Sequence, residues 1–403
     1  MRLRTLLALG AACLPLGACS DQPTAPSDAG AIQIRLATLP AGPYRCGQAI
    51  PVSATVTSSR GKAVAGLLLN FNVLSGGGSI FGGAALTDSR GVAADIWTLG
   101  RPDVLNTMAI RTVSSGGTPT TYDSATVTPL SRLAWVSGFD IWVMNSDGTN
   151  KAKLIDSPGG EEADYPTWSP DGSQLAYEHS DSWTADMYVI NADGTGNTRL
   201  TTDGVRRMHL AWSPDGGKIA FTQGNDIYVM DLATKAQTQL TNAAGFDEGA
   251  TWSPDGSRIA FLSNRTGNFE VWAMNADGSG QTNLTANGAD NAWPAWSPDG
   301  SKIAFCRAVD LMSDYDDIWL MNPDGSGQAN LTNSPTNFSC WPTWSPDGKV
   351  AFMSDLGSDP GSNVYYYNVW SISTNGTGLT NMTHNDAYTF LTEITWTAGC
   401  PAQ

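Results

Sequence analysis

The side chains best suited to chemistry in this sequence gather at a fixed offset ahead of a recurring tryptophan. Three positions before it stand Tyr165, His209, Gly249, Trp293, Trp341 and Glu393. One position earlier stand Asp164, Met208, Glu248, Ala292, Cys340 and Thr392. Rigid aromatic rings with scattered carboxylates suit a glycan or a peptide, because rings cover a large area at low cost in side-chain entropy. Asp164, Tyr165, His209, Glu248, Trp293, Trp341 and Glu393 are therefore the candidate ligand-binding residues, with ordinary packing as the competing account. Catalytic signals are poorer. There are three histidines, and of these His179 and His384 fall in loops. No Gly-x-Ser-x-Gly nucleophile elbow, His-Glu-x-x-His pair or Cys-x-x-Cys pair occurs. Asp247 with Glu248, and Asp316 with Asp317, have the groups for acid–base work but no partner at a defined spacing. Asn275-Ala-Asp-Gly-Ser279 has the start of a calcium loop without its closing glutamate, so turn chemistry accounts for it. The expectation is no catalytic residue, no metal site and no cofactor, with a structural cation near the acidic mouth left open.

The recurring tryptophan opens the pentapeptide Trp-Ser-Pro-Asp-Gly, which occurs five times, at Trp168, Trp212, Trp252, Trp296 and Trp344. The intervals of 44, 40, 44 and 48 residues are those of a β-propeller blade. Proline at the second turn position and glycine at the fourth suit a type I turn, so Ser-Pro-Asp-Gly links a blade's innermost strand to the next. The tryptophans, and the turn residues Asp171, Asp215, Asp255, Asp299 and Asp347, are read as structural. The indoles are expected to fill the wedge between blades. Asn-x-Asp-Gly at Asn145, Asn191, Asn275 and Asn322 makes a second hairpin on the same face. The remaining connections, including His179–Asp186, Ser263–Phe269, Arg307–Asp317 and Ser354–Asn368, vary in length and lie on the opposite face. Variable loops on a rigid scaffold are where binding concentrates, so that face is expected to be the functional one. Residues 133–155 match the outer three strands of a blade, and Glu393-Ile-Thr-Trp396 matches a missing first strand. The two halves give six blades closed by the C-terminal strand.

This constellation resembles the six-bladed propeller of the TolB family with its WD40-like Pro-Asp repeats, over roughly residues 131–399. The resemblance implies a periplasmic, non-enzymatic protein that binds envelope partners through its propeller. It departs from that family ahead of residue 131, in its lipid anchor and in the kind of domain that precedes the propeller. Related propellers also serve oligosaccharide lyases, so a glycan-active hydrolase or lyase with its site in the channel is the alternative.

Residues 31–129 carry alternating apolar runs, among them Ile32–Leu36, Ile50–Val56, Leu68–Val73, Ala93–Trp97 and Met108–Val113, each bounded by turn residues. Period-two strands without a helical pattern argue for a β-sandwich. The stretches Val56–Gly66, Phe71–Ser79, Thr87–Ala93 and Trp97–Gly100 resemble the bacterial immunoglobulin-like repeats of invasin-type surface proteins, which implies a spacer. The fold class is thus all-β, a six-bladed propeller over residues 131–400 behind an immunoglobulin-like sandwich.

Ahead of the sandwich, Arg2 and Arg4 precede an apolar run from Leu6 to Leu16, and Leu16-Gly-Ala-Cys19 reads as a lipobox. The run is too short to stay as a bilayer-spanning helix. Residues 1–18 resemble a lipoprotein signal, with Cys19 as the lipid attachment site and residues 19–30 as a flexible tether. Such an anchor points to the outer membrane. Cys46, Cys306, Cys340 and Cys400 remain in an oxidising compartment with three possible pairings. Cys306 with Cys340 is the expected bridge, leaving Cys46 and Cys400 to clamp the two regions. The formal net charge of −16 opposes a nucleic-acid partner. The partner expected instead is an envelope protein or a peptidoglycan-associated one.

Overall fold

The computed structural model describes residues 32–40, 48–100, 106–113, 119–127, 130–181, 184–308, 316–334, 337–357, 367–383 and 391–397. The leader, Cys19, the tether, His384, and Cys46 and Cys400 with their expected pairing all lie outside the described residues. Regular structure within them is β apart from a single 3-10 turn at Pro158–Gly160. No helix among the described residues is long and apolar enough to cross a membrane.

The first eight strands are β1 (Ile32–Leu36), β2 (Ala49–Ser58), β3 (Leu68–Ser75), β4 (Gly78–Ile80), β5 (Ala84–Leu86), β6 (Val92–Leu99), β7 (Asn106–Val113) and β8 (Pro119–Val127). They form two four-stranded sheets, ordered β1-β2-β6-β4 and β5-β3-β7-β8. The alternation of β2 decides its facing: Ile50, Val52, Ala54 and Val56 are buried while their neighbours are not. They meet Phe71, Trp97, Met108 and Ile110 from both sheets in one shared core. A Cβ on Gly78, where φ is +84°, would lie 2.2 Å from the Thr98 carbonyl oxygen, so the Gly76-Gly-Gly78 run makes room for the neighbouring chain.

The remaining strands form six four-stranded sheets, here blades I to VI, with strands a to d counted outward from the axis. Strands a of blades II to VI are Glu162–Trp168, Met208–Trp212, Asp247–Trp252, Asn291–Trp296 and Ser339–Trp344. Blade I takes its strands b to d from Arg132–Ser137, Asp140–Asn145 and Ala152–Ile155, and its strand a from Leu391–Trp396. That last strand pairs antiparallel with Arg132–Ser137, running from Leu391 opposite Ser137 to Trp396 opposite Leu133. The seam is stitched by the Arg132 N–H donating to Thr397 Oγ1 at 3.0 Å and by the Trp396 indole N–H donating to Ser131 Oγ.

Local chemistry explains why the repeat folds alike each time. In the Ser-Pro-Asp-Gly turn, the Ser169 hydroxyl donates to Asp171 and accepts the Gln174 N–H, at 2.7 and 2.9 Å. The serine and backbone donors hold the Asp215, Asp255 and Asp299 carboxyls below the usual carboxylate range. At the blade rim, the threonine of Leu-Thr in blades II to V, and of Met382-Thr383 in blade VI, forms a latch. Thr201 donates to the Asp186 carboxylate at 2.7 Å and accepts the Met187 N–H at 3.0 Å. Thr241, Thr285, Thr332 and Thr383 repeat it with Asp226, Glu270, Asp317 and Asn368. The indoles wedge between blades as expected. Trp252 packs on Ala220, Ile227 and Val229 of the preceding blade and donates to the Ala211 carbonyl oxygen at 3.2 Å. Trp344 does the same to Ala295 at 3.0 Å.

Candidate functional site at the propeller axis

Every strand a carries one extra residue opposite strand b, a β-bulge two to four residues ahead of its tryptophan. At the bulge, Tyr165, His209, Gly249, Trp293 and Trp341 all take left-handed φ, between 51° and 65°. For the four residues with side chains this is a strained conformation, on the order of 1 kcal/mol or more each. A bulge re-aims a side chain, and here it turns the ring of residues toward the axis. The rings meet one another across the channel. Tyr165 lies edge-on to His209 at 4.7 Å between centroids, His209 is 4.8 Å from Trp293, and Trp293 stacks on Trp341 at 6.0 Å. Blade IV contributes glycine, and the indole of Trp293 fills the vacant place: a Cβ on Gly249 would sit 3.3 Å from two of its ring atoms.

Tyr165, His209, Trp293 and Trp341 line an axial cavity of about 190 Å³. Asp164 and Glu248 do not line it but flank it. The side chain of Glu393 lies outside the described residues, although its strand is placed at the blade I bulge. The Glu248 carboxylate is 4.0 Å from His209 Nδ1. Burial, reinforced by the Arg206 charge, pulls His209 down to about 4, so the imidazole is neutral at physiological pH and this contact is not an ion pair. Burial also raises the Glu248 carboxyl, and burial with the Glu162 charge raises Asp164.

The structure adds a residue that the spacing argument passed over. Glu178 stands directly across from Asp164 and is almost completely buried. It accepts from Arg206 Nε at 3.0 Å and from the Arg207 N–H at 2.9 Å, which ties blade II to the segment leading into blade III. Burial pushes its carboxyl up to about 7 against the pull of Arg206. The signal was in the repeat itself. The equivalent b-strand positions hold Thr222, Leu262, Cys306 and Met353, so a glutamate in that register is a charge at a core position.

Cys306 and Cys340 are joined by a disulfide with 5.2 Å between Cα atoms. It ties strand b of blade V to strand a of blade VI. The Trp341 N–H points at Cys306 Sγ, 3.2 Å away, so the bridge holds the backbone that presents a channel ring.

At the opposite end of the channel, the Ser-Pro-Asp-Gly face opens into a funnel of about 1000 Å³. Its wall is made by the six strand-a tryptophans, Trp168 to Trp396, with Pro170, Pro214, Pro254, Pro298 and Pro346. Among the described residues, no group of three or more His, Cys, Asp or Glu is placed to hold a metal ion.

A closed ring of six antiparallel blades, five of them carrying a Trp-Ser-Pro-Asp-Gly turn after the innermost strand, defines a repeat propeller with an axial cavity. Residues 139–397 match the PD40 family model, described as the TolB beta propeller domain, and the chain belongs to that family. A curated relative, the Tol-Pal system protein TolB of Polaromonas sp. (strain JS666 / ATCC BAA-500), is 38% identical over 74 residues. That match spans 17% of this chain and 17% of the relative's length. Among solved structures, TolB from Acinetobacter baumannii matches with a TM-score of 0.58 at 21% identity, covering 72% of this chain and 79% of that one. A putative TolB from Agrobacterium tumefaciens matches with a TM-score of 0.51 at 21% identity, covering 68% and 91%. At these identities the structural likeness speaks for the fold.

Proposed function

We propose that this protein is a cell-envelope lipoprotein whose propeller binds a protein or peptidoglycan-associated partner without catalysing a reaction. In this reading Cys19 carries the lipid, residues 19–30 are the tether, and the immunoglobulin-like region spaces the propeller from the membrane. The observation that carries it is the ring at the axis. Four aromatic side chains are held in strained backbone, facing one another, near a Glu178 carboxylate that is occupied by Arg206 and the Arg207 N–H. Strain persists where the surroundings over-determine it, and rigid aromatics are the usual anchors of a protein interface. A binding role fits the chemistry of the ionisable groups better than a catalytic one. Both oxygens of Glu178 hold donors, and the neutral His209 is a weak base. The resemblance to the TolB family and the relative named as a Tol-Pal system protein support an envelope partner here.

The test is retention of partners from envelope extracts by the purified chain. Trp293→Ala with Trp341→Ala should abolish retention while the fold, followed by circular dichroism, persists. The size of the funnel favours a second reading, in which the partner enters from the Ser-Pro-Asp-Gly face. Bulk introduced there by Pro254→Trp would then block retention, and the axial-ring variants would not. Turnover of an oligosaccharide that is lost on His209→Ala or Glu248→Ala would replace both readings with the glycan-active one.

A further inference from the structure

The two regions carry opposite charge. Residues 32–129 hold seven Lys or Arg against four Asp or Glu, a formal +3, whereas residues 130–403 hold thirteen against thirty-two, a formal −19. The exposed apolar surface is just as unevenly divided. Of nine large hydrophobic residues exposed among the described ones, five lie between residues 68 and 96: Leu68, Leu74, Phe81, Leu86 and Ile96.

Four of them stand near one edge of the sheet pair, Leu68 and Leu86 on the outer face of one sheet, Ile96 on the outer face of the other, and Phe81 where β4 passes to β5. β4 and β5 are end strands of the two different sheets, joined by residues 81–83. Leu68 and Leu86 are direct cross-strand partners, 51% and 61% exposed. Phe81, at the β4–β5 crossing, is 88% exposed and its N–H donates to the carbonyl of Ile96, 43% exposed. The adjoining loops supply the charge. The Gly66 N–H donates to Thr87 O and the Val56 N–H to Gly91 O, each at 2.8 Å, so the 59–66 and 87–91 loops share one end of the pair, beside Leu68 and Leu86. They present exposed Arg60, Lys62 and Arg90, of which Arg90 is paired with Asp88 at 2.9 Å.

Apolar side chains flanked by cations match the chemistry of an anionic lipid surface, where aromatic and aliphatic groups enter the headgroup region and each nearby cation adds attraction. We propose that this edge of the sheet pair docks on an anionic phospholipid bilayer, with the acidic propeller repelled from that surface. The proposal does not depend on the axial ring or on lipid attachment.

The chain from Ser20 onward, without leader or Cys19, is mixed with phosphatidylcholine vesicles and with vesicles of equal parts phosphatidylcholine and phosphatidylglycerol, and the bound fraction is measured by flotation. The expected result is binding to the anionic vesicles, weakened by salt and at least about tenfold stronger than to neutral ones. Phe81→Asp with Leu86→Asp, and separately Arg60→Glu with Lys62→Glu, should each lower it by about tenfold or more, with melting temperatures unchanged because all four positions are exposed. Trp293→Ala with Trp341→Ala should leave it intact. No binding, equal binding to neutral vesicles, or a chain that self-associates through this edge and loses that association in the Phe81/Leu86 variant would overturn the proposal.

Discussion

The sheet pair and the propeller are built from the same short antiparallel strands, yet they treat their edges in opposite ways. The pair leaves four end strands, β1, β4, β5 and β8, and exposes apolar side chains along one boundary. The propeller pairs its last strand with its first sheet and so closes upon itself. Open edges invite association, and closure removes the invitation. The difference teaches where each region can meet other molecules: the pair along its margin, the propeller at the two mouths of its axis and along its short outer strands.

The comparison can be broken most forcefully at the closing strand. Ending the chain at residue 390 removes strand a of blade I and leaves Arg132–Ser137 as a bare edge. Calorimetry should then show the propeller transition abolished, a loss larger than any point change, while a separate transition for the sheet pair stays in place. Loss of both together would mean that the regions are one cooperative unit. Next in size is the bridge. Cys306→Ser with Cys340→Ser should cost about 2–4 kcal/mol, since it frees a segment of 34 residues, and should lower the propeller transition alone. Gly249→Ala should cost about 1–2 kcal/mol, because the new methyl meets Trp293 at 3.3 Å in a left-handed backbone. Tryptophan fluorescence should report the displaced indole.

The smallest effect is a matter of pH. His209 is held neutral in the fold, with its pKa lowered from 6.5 to about 4, so the unfolded chain binds the extra proton between those values. Its contribution is full above pH 6.5 and is lost as pH falls toward 4. Glu178 acts in the opposite sense. Raised from 4.5 to about 7, it is protonated in the fold first, and its contribution is full below pH 4.5 and is lost as pH rises through 7. The two slopes oppose each other between about pH 4.5 and 6.5. In His209→Gln only the Glu178 slope remains, so the melting temperature of the variant should gain on the parent as pH falls from 6.5 to 4.5.

The blade number and the closing strand were legible because spacing and turn chemistry are local and repeat. The Cys306–Cys340 bridge was legible because both residues fall at matching ends of neighbouring strands. The left-handed bulges were not legible. Tyr165, His209 and Trp293 have nothing in their residue types that asks for positive φ, and only Gly249 gives a hint. Tertiary packing imposes that conformation. The funnel escaped for a different reason. Each proline was assigned to its own turn, and only the ring symmetry assembles the five of them with six indoles into one wall.

The stitch between Ser131 and Trp396 joins residues 265 positions apart. Loop closure over such a span is slow, and nothing within blade I can complete its innermost row until the strand at Leu391–Trp396 has been made. Assembly of the ring is thus timed by the tail. A chain cut short by a premature stop would reveal itself by an unfilled groove, a visible mark for proteolysis.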